Sequence, residues 1–143
     1  MGTSRRHALL LWCAATDRTF DRAELRGVEV LAGKCIHCNC LVCVDLDGSR
    51  LLRATLEHIV PRTHGGTNAL DNLAVACGRC NGAKGIRHDN QRWGDPKLME
   101  MIERLQERKR KRLREPLAGL SLPDLGDTEP EALEEEPAKK KRR

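Results

Sequence analysis

Two stretches of the sequence decide its fold: CIHC at residues 35–38 and EHIVPRTHGGTNALDNLAVACGRC at residues 57–80. They contain two Cys-x-x-Cys pairs of matching spacing, formed by Cys35, Cys38, Cys77 and Cys80. Two residues between thiolates let one tight turn aim both sulfur atoms at one ion, and two such turns complete a tetrahedral site. We therefore expect these four cysteines to hold a structural Zn²⁺ that ties the beginning of a domain to its end.

The composition indicates why such a domain needs a metal. The chain has 143 residues but only one Phe, two Trp and no Tyr, so its core must be aliphatic and thin. A small core usually needs disulfides or a metal, and an odd count of seven cysteines with paired spacing favours the metal. We expect a cytoplasmic protein, where thiols stay reduced. We expect no membrane association, since no run approaches the ~18 apolar residues of a membrane span.

A third pair of the same spacing, Cys40 and Cys43, leaves the choice of ligands open. This pair could compete with Cys35 and Cys38 or replace them. A turn-forming Gly33 precedes Cys35, whereas Cys43 falls in an apparent strand. We therefore prefer Cys35 and Cys38 as ligands and interpret the other pair as small apolar residues.

The remaining patterns predict a small α+β protein. Helices are predicted from Ser4 to about Ala15, from a capping box at Asp21 to about Ala32, and onward from Asp95-Pro96. Short strands are predicted at 41–46, 51–60 and 72–76, the first two as a hairpin around Asp47-Gly48. Residues 61–71 are predicted to form a loop and 77–87 a knuckle that leads into a helix.

These elements divide the chain into four predicted parts: an N-terminal helical segment (1–32), a central domain (33–95), a basic amphipathic helix (96–115) and a disordered tail (116–143). The tail is acidic from 124 to 137 and then basic from 139 to 143. The net charge of +5 is compatible with a polyanionic partner and equally with a well-solvated surface.

The central residues resemble the HNH endonuclease family. The resemblance rests on Glu57-His58-Ile59-Val60-Pro61, then Gly65-Gly66, Asn72-Leu73 and Cys77-x-x-Cys80-Asn81-x-x-Lys84-Gly85. Order, spacing and flanking residues agree over about residues 33–88. The resemblance implies a ββα-metal (His-Me finger) fold on a four-cysteine structural zinc, and metal-dependent hydrolysis of phosphodiester bonds in DNA.

The resemblance also implies roles for four residues. His58 is the general base that activates water, Glu57 and Asn81 bind a catalytic Mg²⁺ or another divalent ion, and Asn72 orients the His58 loop by side-chain hydrogen bonds. Elementary chemistry agrees, because a neutral imidazole accepts a proton near pH 7 and a divalent ion stabilises charge at the phosphate. Neighbouring strand residues face opposite ways, so Glu57 and His58 can serve different roles.

Two departures from the family pattern keep other readings open. The family more often has Asp before the histidine, and often His at the position of Asn81. Glu57 could instead face solvent, Asn72 could be a turn residue and Asn81 a helix cap. The alternative functions are a non-catalytic zinc-containing module that binds nucleic acid through a decayed site, and a zinc domain for protein contacts.

Nucleic-acid contacts are expected at Lys84, Arg79, Arg108 and Arg110. By resemblance Lys84 contacts a phosphate, and the basic end of the last helix tracks the nucleic-acid backbone. A solvated helix face explains the same charges. His64 could be an accessory base, a phosphate contact or an exposed loop residue. The oligomeric state is left open.

Overall fold

Three helices and five strands make up the described part of the chain. The computed structural model describes residues 4–49 and 52–125. In chain order the elements are α1 (Arg5–Ala15), β1 (Asp21–Leu25), β2 (Val28–Lys34), β3 (Leu41–Asp45), β4 (Ala54–His58), β5 (Leu73–Cys77), α2 (Gly78–Lys84) and α3 (Pro96–Arg112). Strands β1, β2 and β3 form one antiparallel sheet in that order, and β4 pairs antiparallel with β5. The predicted small α+β class is confirmed.

Strands β4 and β5 and helix α2 form a ββα unit of the kind that the resemblance implies. The strand register runs from Ala54 opposite Cys77 to His58 opposite Leu73. Helix α2 begins directly after β5, where the Cys77 sulfur accepts a hydrogen bond from the Cys80 backbone N–H. His58 therefore lies at the loop end of the hairpin, and Cys77 lies at its other end.

The core is aliphatic, as the composition predicts. Helix α1 is capped by the Ser4 hydroxyl, which accepts from the His7 N–H at 3.1 Å. Helix α1 contacts β3, β4 and β5, and α3 contributes a second apolar face to the core. The fully buried leucines of these two helices include Leu9, Leu10, Leu11, Leu98 and Leu105. Phe20 is buried among them. Helix α3 begins as predicted, with Asp95 as its cap and Pro96 in its first turn.

The helix predicted over residues 21–32 is wrong, because this segment is the β1–β2 hairpin. Its two-residue turn is Arg26-Gly27, with φ of 55° and 81°. Positive φ at both central residues is the type I′ geometry that follows the twist of paired strands. Glycine at the second position adopts it without strain. Strand β2 also crosses the boundary predicted between residues 32 and 33, and the division into four parts stays a prediction.

The hairpin predicted between residues 41–46 and 51–60 is also wrong in its pairing. Both segments contain strands, but β3 pairs with β2, and β4 pairs with β5. Between the described residues of the two segments lies an isolated parallel bridge, Cys43 with Arg53, where the Cys43 N–H donates to the Leu52 carbonyl at 3.1 Å.

Part of the tail predicted as disordered is placed against the core. The Trp12 indole N–H donates to the Pro123 carbonyl at 2.7 Å. Leu117, Leu120, Leu122 and Leu125 pack on the core as half-buried side chains. The apolar residues of 117–125 thus cover the α1 surface. The rest of the predicted tail, 126–143, lies outside the described residues. Among the described helices, none combines the length and apolarity needed to cross a bilayer.

Candidate functional site

Four cysteine sulfur atoms converge beside the ββα unit. The Sγ atoms of Cys35, Cys38, Cys77 and Cys80 all lie within 4.8 Å of one another. Tetrahedral zinc with Zn–S bonds of ~2.3 Å needs sulfur atoms separated by ~3.8 Å. The cluster joins the end of β2 to the junction of β5 and α2, as the sequence predicts.

Backbone N–H groups donate hydrogen bonds to these sulfur atoms, as they commonly do to thiolates. The N–H groups of Cys77 and His37 donate to Cys35 Sγ at 3.2 Å and 3.3 Å. A backbone hydrogen bond from Cys40 is the main cause that lowers the pKa of Cys38 to about 6. Burial raises the pKa of Cys35 and Cys80. A bound cation is therefore needed to hold all four as thiolates, so the donor set fits zinc.

The cluster contains the preferred Cys35 and Cys38 and not the competing pair, and their role as zinc ligands stays a prediction. Cys43 is buried in β3, opposite Ala32 of β2. Cys40 lies beside the cluster, where burial raises the pKa of its thiol to about 11.

Helix α3 holds the first cysteine knuckle through backbone carbonyls. Arg108 Nη1 donates to the Ile36 carbonyl at 2.8 Å and to the His37 carbonyl at 2.7 Å. Arg112 donates to the Lys34 carbonyl at 3.0 Å and to Asn39 Oδ1 at 2.7 Å. The predicted nucleic-acid contact at Arg108 is therefore wrong, because its guanidinium is half-buried and binds carbonyls of the knuckle.

Replacing Arg108 with Met is expected to destabilise the protein by about 2 kcal/mol, because two charge-assisted hydrogen bonds to half-buried carbonyls are lost while the apolar stem is kept. The control is Arg110→Met, since Arg110 is exposed and forms its ion pair with the exposed Glu107 one turn earlier. Its free energy of unfolding should change by less than about 0.5 kcal/mol. Urea unfolding followed by circular dichroism measures both. Equal losses in the two variants contradict a specific role for Arg108.

His58 is held at the end of β4 by a side chain of the following loop. Its Nε2 lies 2.8 Å from Asn68 Oδ1, and Asn68 is itself buried. An amide oxygen only accepts, so Nε2 carries the proton and Nδ1 is the basic nitrogen of the neutral ring. Burial is the main cause that lowers the pKa of His58; the Asn68 bond raises it, and the charges of Arg62 and Arg6 lower it further. The imidazole is therefore neutral at pH 7.

Asn72 closes the loop that carries these groups. Its Oδ1 accepts from the Val60 N–H at 2.8 Å, and its Nδ2 donates to the carbonyls of Val60 at 3.1 Å and Thr67 at 2.9 Å. The loop also returns on itself at Gly66, where a Cβ atom would lie 1.8 Å from the Val60 carbonyl oxygen. Asn72 thus fixes Thr67, and the adjacent Asn68 fixes His58.

Glu57 belongs to a buried ionic cluster. Its side chain is 0% exposed; Oε1 lies 2.9 Å from His37 Nε2 and Oε2 lies 3.3 Å from Lys84 Nζ. The Lys84 ammonium also donates to the His58 carbonyl at 3.1 Å and to Asp89 Oδ1 at 2.8 Å. Burial raises the pKa of Asp89, and the charge of Lys84 opposes that shift. The cluster links the cysteine knuckle to β4 and α2 through charge-assisted bonds.

Residues 35–87 match the family model described as HNH endonuclease. We call residues 35–87 the HNH domain, after the family that they resemble. The match spans both cysteine knuckles, the ββα unit and the His58 loop. No curated protein and no solved structure matches the chain. The HNH domain indicates a nuclease-type function on nucleic acids.

Within this HNH domain, Asn81 lies on the face of β4 opposite His58. Its Nδ2 donates to Thr55 Oγ1 at 3.0 Å and to the Leu56 carbonyl at 3.1 Å. Successive strand residues alternate between faces, so Thr55 and Glu57 share one face and His58 points to the other. The structure therefore brings Asn81 to the Glu57 face. Both bonds use the amide nitrogen, which leaves the amide oxygen for a further ligand.

Lys84 requires a correction. The resemblance implies that it contacts a phosphate, but its side chain is 1% exposed and its ammonium is enclosed by oxygen atoms of the protein. A phosphate cannot reach it there. Arg79 and Arg110 are exposed, so of the four expected nucleic-acid contacts only these two lie at the surface.

Sequence reasoning missed two residues of the HNH site. His37 lies between two cysteines in the sequence, and its Nε2 contacts Glu57 Oε1 at 2.9 Å. Asn68 positions His58, and its signal was a polar amide directly after the Gly65-Gly66-Thr67 turn. Both contacts join segments at least ten residues apart, so local patterns do not predict them.

Proposed function

We propose that this protein is a metal-dependent endonuclease that hydrolyses phosphodiester bonds in DNA, with His58 as the general base and a structural zinc in the four-cysteine cluster. One observation carries the proposal: a neutral imidazole is held through its Nε2 by Asn68 at the strand end of the ββα unit. A base must be unprotonated at working pH and fixed in orientation, and His58 meets both conditions.

In the proposed reaction, His58 Nδ1 takes a proton from a water molecule whose oxygen attacks phosphorus. The new P–O bond forms as the bond to the sugar oxygen breaks; the imidazole keeps the proton of the attacking water, and the leaving oxygen takes a proton from solvent water. Asn68 keeps the ring oriented, and its hydrogen bond to Nε2 strengthens as the ring becomes cationic. Asn72 holds the loop, so that neither group has to be ordered during the reaction.

The residues on the Glu57 face fit a divalent ion. Glu57 Oε2 is buried and has no hydrogen-bond partner among the described residues, and the two bonds of the Asn81 side chain both use its amide nitrogen. The Glu57 carboxylate and the Asn81 amide oxygen are hard oxygen donors of the kind that Mg²⁺ binds. His58 lies on the other face of β4 but is the last residue of that strand, so an ion held at Glu57 would supply charge stabilisation to a phosphate bound across the strand end. The Lys84 ammonium, 3.3 Å from Oε2, is the present cationic partner of that oxygen, so an ion at Glu57 competes with it.

The second candidate function is a non-catalytic module that binds nucleic acid. The enclosure of Glu57 by His37 and Lys84 favours it, because a carboxylate with two internal partners has less need of a metal. A plasmid-nicking assay with Mg²⁺ or Mn²⁺ separates the two candidates. Nicking that is lost in His58→Ala supports the nuclease. Retained DNA binding with no nicking under any divalent ion supports the binding module.

A further inference from the structure

An exposed aromatic ring lies next to the His58 loop. Trp93 is 56% exposed, and its ring lies 5.6 Å from that of His64 with the two planes tilted by 48°. The other tryptophan, Trp12, is half-buried and donates to the Pro123 carbonyl. A chain with three aromatic residues thus leaves one of them at the surface. We call His64, His88, Gln91 and Trp93 the Trp93 patch.

The Trp93 patch also concentrates unsatisfied polar atoms. Within residues 4–49 and 52–125, four buried side-chain atoms have no hydrogen-bond partner: Glu57 Oε2, His64 Nε2, His88 Nδ1 and Gln91 Oε1. Three of the four belong to this patch. A buried polar atom without a hydrogen bond is unfavourable, and proteins tolerate such atoms mainly where a site serves function. Glu57 Oε2, the fourth, lies in the proposed active site.

Contacts tie the patch to the proposed base. His64 lies in the single helical turn Arg62–His64, and the Arg62 charge acts on the His58 ring. The Thr63 hydroxyl donates to the Asp89 carbonyl at 3.5 Å, which joins this turn to the segment that carries His88. Arg62, Arg87 and Arg92 are exposed around the patch. The exposed Trp93 ring is therefore surrounded by arginine side chains, near the segment that carries His58.

We infer that the Trp93 patch stacks on an unpaired base next to the scissile phosphate, so that the substrate is nucleic acid with single-stranded character. The inference rests on the proposed function and specifies its substrate class. An exposed indole stacks on any base whose face is open, whereas in a duplex both faces of a base are covered by its neighbours. The surrounding arginines supply the backbone attraction that accompanies stacking on single strands.

Binding of fluorescein-labelled oligonucleotides tests the inference. A 15-nucleotide dT strand and its duplex with dA are titrated in a His58→Ala background without divalent ions, and anisotropy gives Kd. Trp93→Ala is expected to weaken single-strand binding by about 5- to 100-fold, the range for loss of one stacked base, and duplex binding by less than about twofold. Trp93→Phe should keep most of the single-strand affinity, because it keeps an aromatic face.

Two further measurements make the outcome specific. Unlabelled dT should quench tryptophan fluorescence in the His58→Ala protein and much less in the Trp93→Phe variant, in which only Trp12 remains. Val28→Ala removes an equally exposed apolar side chain from the far hairpin and should alter neither affinity nor quenching. Equal weakening of single-strand and duplex binding by Trp93→Ala, or no weakening of either, overturns the inference.

The readouts also separate this inference from the proposed function. Nicking by wild type that is lost in His58→Ala decides the nuclease proposal, and the binding titrations need no catalysis. If wild type cuts DNA and Trp93→Ala binds single strands as tightly as its parent, the stacking inference alone is rejected. If wild type does not cut DNA but Trp93→Ala selectively loses single-strand binding, the nuclease proposal alone is rejected.

Discussion

Removal of zinc from the four-cysteine cluster is expected to unfold the HNH domain. Structural zinc contributes about 10–16 kcal/mol of apparent binding free energy in zinc-finger peptides, which equals or exceeds the whole stability of a typical domain, about 5–15 kcal/mol. The cluster joins β2 to the β5–α2 junction, and the core between them is aliphatic with one buried phenylalanine. Without the ion, the converging thiols lose their common partner and the ββα unit loses its anchor.

Single substitutions separate the ligands from the neighbouring cysteines. Cys77→Ser is expected to lose bound zinc and most of its folded circular dichroism signal, because Cys77 is 3% exposed and its sulfur also caps α2. Cys40→Ser is the matched control, since Cys40 has the same chemistry beside the cluster but is not one of its four members. It should keep one zinc per chain.

Zinc content by a colorimetric chelator and thermal unfolding with and without EDTA give the readouts. Zinc loss in Cys40→Ser together with zinc retention in Cys35→Ser contradicts the ligand assignment. A protein that keeps its unfolding transition in EDTA after complete zinc removal contradicts the structural role.

The parts of the fold that the sequence predicts are those with local causes. Cys-x-x-Cys spacing predicts the zinc cluster, because one turn aligns each pair. Ser4 and Asp95-Pro96 predict the starts of α1 and α3, because a cap acts on the N–H groups directly after it. The hairpin of β1 and β2 had a local signal too, the Arg26-Gly27 turn, but the acidic residues around Asp21 resemble a helix cap equally well.

The parts that escaped prediction depend on tertiary contacts. Arg108 belongs to a basic run that is typical of a nucleic-acid surface, yet it binds carbonyls 71 and 72 residues earlier in the chain. Lys84 follows the family motif, and only the three-dimensional structure encloses its ammonium with Glu57 and Asp89. A charged side chain carries no local mark of whether its partner is a phosphate or a distant carboxylate.

Replacing His58 with Ala is expected to lower the rate of DNA cleavage by about 10²- to 10⁴-fold, the usual contribution of a positioned general base. Folding should be little affected, because the ring is half-buried and makes one side-chain hydrogen bond, to Asn68. Asn68→Ala should slow cleavage less, since the base remains but loses its orientation. Single-turnover nicking at saturating Mg²⁺, with unfolding temperatures as the control, measures these effects. Cleavage that survives in His58→Ala rejects His58 as the base.

The pH dependence tests the same assignment independently of fold stability. Because burial above all lowers the pKa of His58 below its ordinary 6.5, the cleavage rate should rise with pH as the ring loses its proton, through a midpoint below 6.5. The Asn68 bond raises this pKa and the Arg62 charge lowers it, so Asn68→Ala should move the midpoint down and Arg62→Gln should move it up. Nonspecific destabilisation shifts both variants in the same direction. Opposite shifts therefore identify the titrating group as the imidazole that lies between Asn68 and Arg62.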